Sequence, residues 1–250
     1  MVNISSPALC RVCQYRKMCV PKSLLPSLEE PSGQKIASDH AQQISVPKGK
    51  FIYQQGDKFN SIFTIRSGCV KTYSLDEEGE ELIEGLFYPG EFLGLDCISF
   101  KAYTHFAVAK EDSDLCLINY HNLESLAARE SQLALHISKA VSSQLSKQLR
   151  WSQSFVKGNS EQRLITWIFV ISSKLGLDVK PKYRFPIPVT HAEVARILHM
   201  RPESLSRVVT KLNKEGLITL TTKECQVNDK NKLFNELPEI SKYESKMAAG

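Results

Sequence analysis

The chain has 250 residues, 42% hydrophobic and 24% charged, which suits one large or two small domains and excludes wholesale disorder. Seven cysteines are too sparse for a disulfide-stapled secreted scaffold, and an odd number cannot all pair internally, so a reduced compartment with metal or redox thiols is expected. The net charge of +5 is modest but uneven: from Asp76 to Asp96 there are eight acidic residues and no Lys or Arg, leaving basic charge to other regions, the C-terminal third included.

Residues 1–30 form a cysteine-bearing start with no basic n-region and no apolar h-region, so no secretory signal is expected and the cytoplasm is the expected location. Cys10-Arg-Val-Cys13-Gln-Tyr-Arg-Lys-Met-Cys19 sets three thiols close together, which packing does not explain. Such a set holds zinc or an iron–sulfur cluster once a fourth ligand arrives from elsewhere. The five-residue gap before Cys19 is longer than a zinc knuckle uses and suits a bulkier cluster, with zinc and a thiol–disulfide switch as the alternatives. Arg11, Arg16, Lys17 and Lys22 favour the thiolate forms. Spacing leaves the fourth ligand open among Cys69, Cys97, Cys116 and Cys225.

Residues 31–130 read as a β-roll. Seven of the twelve glycines lie between Gly49 and Gly94, interleaved with alternating runs at 61–65, 70–75 and 81–87; further strands are expected at 105–109 and 114–118. Together they predict an antiparallel roll from about Ile44 to Ile118. The turn Asp76-Glu77-Glu78-Gly79-Glu80-Glu81 is either a solvated hairpin or an acidic contact surface.

Glycine is absent from Asn119 to Val156, and the composition there predicts a long helix, with 131–157 as its dimerisation segment. Leu133, Ile137, Val141, Leu145 and Leu149 recur every four residues and form one apolar stripe. The stripe packs on the roll or on a second copy of itself; the helix is long for so small a roll, which favours a symmetric homodimer. The longest apolar run, Leu164 to Ile171, falls far short of the ~20 residues of a spanning helix, so no membrane segment is expected.

Residues 158–234 read as a second domain. Gly158-Asn159-Ser160 breaks and caps a helix over 161–175, and the Pro-rich stretch 181–188 is a connector. Thr190 with Glu193 predicts a capping box opening a short helix to Leu198, and Pro202 opens a second helix to Lys214. His199 sits in the turn between them, where Gly is the usual residue. Ala195, Leu205 and Val209 occupy the inward positions, and 216–223 reads as a hairpin wing, completing a winged helix-turn-helix. Glu203, Ser206 and Arg207 can accept from cytosine N4, meet thymine and fork onto guanine. Arg201, Arg196, Lys211, Lys214 and Lys223 can neutralise phosphates. A helical hairpin used only for packing is the plainer alternative. Residues 235–250 read as a polar tail. No phosphate loop, nucleophile elbow or paired-acid motif appears, so no enzymatic activity is expected.

The order of these parts resembles the cyclic AMP receptor/FNR superfamily, and within it the fumarate and nitrate reduction regulator (FNR) branch, from Cys10 to about Asn228. The likeness rests on the thiol spacing, Ile65-Arg-Ser-Gly68 with Lys71, Pro89-Gly-Glu-Phe-Leu-Gly94 with Asp96, Asn159-Ser-Glu-Gln-Arg163, and Glu203-x2-Ser206-Arg207. It implies an α+β fold: a cyclic-nucleotide-binding-like antiparallel β-roll, a long dimerisation helix and a C-terminal winged helix-turn-helix. It implies a DNA-binding transcription activator whose oxygen-labile 4Fe–4S cluster, held by Cys10, Cys13, Cys19 and Cys116, favours a homodimer on a TTGAT-like inverted repeat of double-stranded DNA. It further implies RNA polymerase contact at residues 76–81 and leaves Cys69, Cys97 and Cys225 as bystanders. Cyclic nucleotides are not expected, because Cys97 to His105 contains no Arg for a phosphate. The alternatives are the same fold switched by zinc, by thiol–disulfide chemistry or by a small ligand, and a ligand-binding roll whose C-terminal helices contact protein.

Overall fold

The computed structural model describes residues 3–7, 41–128, 131–154, 158–177 and 179–235. The chain divides into two compact units, Met1–Gln148 and Leu149–Gly250.

Among the described residues, the first unit contains nine antiparallel strands: β1 (Asn3–Pro7), β2 (Ala41–Val46), β3 (Phe51–Tyr53), β4 (Ser61–Ser67), β5 (Val70–Leu75), β6 (Glu81–Phe87), β7 (Phe92–Leu93), β8 (Phe106–Ala109) and β9 (Ser113–Asn119). They form a five-stranded sheet in the order β1-β2-β9-β4-β7 and a four-stranded sheet in the order β3-β8-β5-β6. Apolar residues from both sheets, among them Ile62, Ile65, Leu115, Val70 and Ala107, meet in one core. Aromatic side chains fill part of that interior: Tyr53 stacks on Tyr103 with centroids 3.9 Å apart, and Phe59 meets Tyr103 edge-on at 5.4 Å.

Gly68 turns the chain between β4 and β5 at φ +87°, where a Cβ would run into Ser113 Oγ and lie 2.7 Å from the Asp112 carbonyl. Positive φ and close backbone approach together require glycine. This is the physical content of the Ile65-Arg-Ser-Gly68 motif. The strand expected at 105–109 begins one residue later, at Phe106. His105 is left in the preceding loop.

The glycine-free stretch forms two helices rather than one, α1 (Tyr120–Ala127) and α2 (Ser131–Ser154). Composition carried the helical propensity of both but no mark of the division. Ile137 and Ala140 of α2 pack against the roll core.

The second unit contains α3 (Ser160–Lys174), β10 (Tyr183–Pro186), α4 (His191–Ile197), α5 (Pro202–Lys214), β11 (Ile218–Leu220), β12 (Glu224–Val227) and α6 (Lys230–Asn235). Asn159 caps α3 through a reciprocal capping box with Gln162. The Pro-rich connector is not irregular throughout: its centre is β10, an edge strand in the order β10-β12-β11. Pro186 is tolerated there because an edge strand need not donate on both sides. Trp167, Ile168, Phe185, Leu205, Leu212 and Val227 are buried beneath the helices and this small sheet. Helix α5 packs on α3, α4 and β11. Among the described residues, no helix is long and apolar enough to cross a membrane. The expected polar tail lies outside the described residues beyond Asn235, a residue that instead ends α6.

Candidate functional site

The most densely specified part of the second unit is the pair α4 and α5. Thr190 Oγ1 accepts from the Glu193 backbone N–H at 3.2 Å, and Glu193 Oε2 accepts from the Thr190 N–H at 2.8 Å. This reciprocal box fixes where α4 begins. At the other end the chain turns through His199 at φ 50°, the one non-glycine residue at positive φ among those described. Arg163, at the start of α3, pins that turn: its Nη1 donates to the carbonyls of Leu198 and His199, each at 3.2 Å. Those carbonyls end α4 and would otherwise lack partners.

Helix α5 then starts at Pro202, with Arg201 as a cap that makes no side-chain hydrogen bond. Leu205, Val209 and Leu212 are buried, while Glu203, Ser206, Arg207 and Thr210 are exposed. The exposed four fall at i, i+3, i+4 and i+7 and share one face. Arg207 Nε donates to the Glu203 carbonyl at 3.4 Å, and Thr210 Oγ1 donates to the Ser206 carbonyl at 2.9 Å. Thr210 is an addition to the residues named from sequence; its helical spacing from Glu203 was the available signal. Arg201, Arg196, Lys214 and Lys223 are exposed around this helix. Lys211 is held differently, with its Nζ 2.6 Å from Glu161 Oε2 of α3. On the wing side, Asn213 Oδ1 accepts from the Leu220 N–H at 3.2 Å, tying α5 to β11. A rigid helix with a buried inner face and a mixed Glu, Ser, Arg outer face is the chemistry that reads base edges.

The family described as "Cyclic nucleotide-binding domain" matches residues 43–130, and the "Crp-like helix-turn-helix domain" matches residues 162–235. The chain belongs to the Crp/FNR superfamily of transcription regulators. It is 28% identical over 222 residues to "Transcriptional activator protein anr" of Pseudomonas aeruginosa, covering 89% of this chain and 89% of that protein. It is 25% identical over 224 residues to "Fumarate and nitrate reduction regulatory protein" of Yersinia pestis, covering 90% and 88%. Among solved structures, FixK2 from Bradyrhizobium japonicum matches with a TM-score of 0.69 at 20% identity, over 78% of this chain and 96% of that one. The named relatives are transcription regulators, and the two matched domains follow one another in this chain in the order roll, then helix-turn-helix.

On the sensory side of this superfamily member, Cys10, Cys13 and Cys19 lie outside the described residues. Cys116 is buried at 5% exposure on β9, in register with Gln43 of β2 and Thr64 of β4. Cys69, Cys97 and Cys225 are all fully buried. Burial, with help from the Glu224 charge, pushes the Cys225 thiol up to about 12.

The acidic hairpin resolves into residues with different tasks. Asp76 Oδ1 accepts from the N–H groups of Glu78 and Glu80 and so builds the turn. Glu81 is paired at 2.6 Å with Lys71, whose side chain is buried. Glu77, Glu78, Gly79 and Glu80 are exposed. In the Pro89–Gly94 motif, Glu91 Oε2 accepts from the Tyr88 N–H at 2.9 Å. On α2, Ile137 is half-buried, whereas Val141, Leu145 and Leu149 are 36%, 58% and 53% exposed.

Proposed function

We propose that this Crp/FNR superfamily member is a homodimeric, oxygen- or redox-responsive regulator in which four thiols of the sensory half control operator binding. One register carries the sensing part. Cys116 lies opposite Gln43, and Gln43 lies opposite Ser5. One intervening strand therefore separates β1 from β9, about 10 Å at ordinary strand spacing. Cys10 follows Pro7, the end of β1, by a stretch of chain that spans about 10 Å when extended. The cysteine-bearing segment thus leaves the sheet that holds Cys116 within reach of it.

The donor set suits an iron–sulfur group: Cys10, Cys13 and Cys19 close together in sequence, with Cys116 buried on a strand. Held by those thiolates, a 4Fe–4S cluster would supply oxygen-labile redox chemistry between residues 10–19 and β9. The chain's own residues account for transmission. Leu115 and Ile118 of β9 share a core with Ile137 and Ala140 of α2, so seating the N-terminal segment on β9 loads the root of α2. Beyond that root, Val141, Leu145 and Leu149 form the seam with a second copy. Two linked readers gain operator affinity through effective concentration.

On DNA, Glu203, Ser206 and Arg207 read a TTGAT-like half-site, with Thr210 in line to meet a thymine methyl. Arg201, Arg196, Lys214 and Lys223 neutralise phosphates, and Lys211 joins them by exchanging Glu161 for a phosphate. Glu77, Glu78 and Glu80 offer the acidic contact to RNA polymerase. The test of the sensing reading is protein purified without oxygen. It should contain iron and acid-labile sulfide, with visible absorption that bleaches in air, and Cys116→Ala should lose both. Zinc in place of iron, or iron and sulfide retained in Cys116→Ala, would overturn this ligand set.

A further inference from the structure

A second metal-ligating cluster lies in the roll, made of residues the proposed sensor does not use. Among the described residues, Asp96, Cys97 and His105 form the group whose ligand atoms all fall within 4.8 Å of one another. His105 Nδ1 is 3.3 Å from Asp96 Oδ2 and 3.6 Å from Glu84 Oε2. Cys97 Sγ is 3.7 Å from the same Asp96 oxygen. A tetrahedral zinc with ordinary bond lengths of about 2.0–2.3 Å has ligand–ligand edges of about 3.3–3.8 Å. The His105–Asp96 and Cys97–Asp96 edges fall in that range.

The surroundings complete a site rather than a lone ion pair. Tyr53 Oη is 2.8 Å from His105 Nε2; with Nε2–H donating to it, Nδ1 is left to face the cluster, the outer-shell arrangement typical of metal-bound histidine. Thr104 Oγ1 lies 3.2 Å from His105 Nδ1 and 3.6 Å from Cys97 Sγ. Cys97 and His105 are 0% and 5% exposed, while the side chains of Asp96 and Glu84 are 59% and 42% exposed. The soft donor and the imidazole are thus walled in, and the carboxylates open a path from solvent. Zinc is the metal that fits one thiolate, one imidazole and carboxylate oxygens.

We infer that Asp96, Cys97 and His105 form a zinc-class divalent metal site in the roll, with Glu84 beside His105, separate from the four sensor thiols. Binding releases the Cys97 thiol proton to solvent and ties the two ends of the 96–105 loop together. The stretch that lacks an arginine for a nucleotide phosphate therefore carries ligands of another kind.

The test uses the full chain carrying Cys10→Ser, Cys13→Ser and Cys19→Ser, so that zinc taken up by the N-terminal thiols does not enter the measurement. After chelator treatment, this protein should bind one zinc and rise in Tm. Cys97→Ala and His105→Ala in that background should lose both effects. Asp96→Asn, at a largely solvated side chain, should weaken zinc binding at least tenfold. Cobalt(II) should give a thiolate-to-metal absorption band that Cys97→Ala abolishes and Cys69→Ala retains. Equal zinc uptake and affinity in the parent, Cys97→Ala and Asp96→Asn proteins would overturn the site, as would failure of the parent to bind zinc. Either result leaves the iron and sulfide measurement on the unsubstituted chain unaffected.

Discussion

Cys225 lies outside the proposed sensor and reader, yet it makes the pH dependence of the second unit predictable. The thiol is fully buried in β12, and its folded value of about 12 lies above the ordinary 9.0 because burial penalises the thiolate. The unfolded chain therefore gives up this proton first as pH rises. The stabilisation is fully present below pH 9.0 and is lost as pH approaches about 12, at about 1.4 kcal/mol per unit and at most about 4 kcal/mol in all. Urea midpoints measured through that window should fall steadily in the parent. Cys225→Ala should start lower, from the lost packing, and fall less steeply; parallel profiles would show that this thiol does not control the alkaline limb. At the same scale, His199 and Gly68 are opposite solutions to one constraint. Histidine tolerates the left-handed turn before α5 because Arg163 secures the carbonyls on either side of it. Gly68 has no such latitude, since backbone crowds the place of a Cβ.

Among the elements, α2 carries the heaviest functional load. Its first turns are committed to the roll through Ile137 and Ala140, and the same stripe continues as exposed Val141, Leu145 and Leu149. Leu145→Glu with Leu149→Glu should change the stability of the isolated chain by less than about 0.5 kcal/mol per site, because these side chains are largely in water there. Sedimentation should nevertheless show a monomer, and operator affinity should fall. A dimer that survives both substitutions would remove the stripe from the seam. The elements also show what sequence could and could not reveal. Helix α5 was legible to the residue and α4 to within one residue at its end, because their starts are written locally, in the Thr190–Glu193 box and in Pro202. Strands β3 and β7 span three and two residues and exist through pairing with distant partners, so no local period announces them. The strand in the Pro-rich connector was hidden for the same reason.

For the whole molecule, the two halves differ in how much of their chemistry is local. The proposed reading face is a single helix, so Glu203, Ser206 and Arg207 could be placed on one surface from spacing alone; Thr210 extends the same pattern. The link from Arg163 to the turn 35 residues away is tertiary, although the motif that contains it was visible. The Asp96, Cys97 and His105 cluster was not legible, because Cys97 read as a buried bystander until the loop closed around it. The central claim joins the halves: thiol state in the roll sets operator occupancy by the reader. Its most direct test is fluorescence anisotropy of a TTGAT inverted-repeat duplex with protein prepared without oxygen, measured before and after exposure to air. The account predicts tight, sequence-dependent binding that is lost in Arg207→Ala and weakens at least tenfold in air. Equal affinity before and after air, in protein that still distinguishes the inverted repeat from a scrambled duplex, would contradict it.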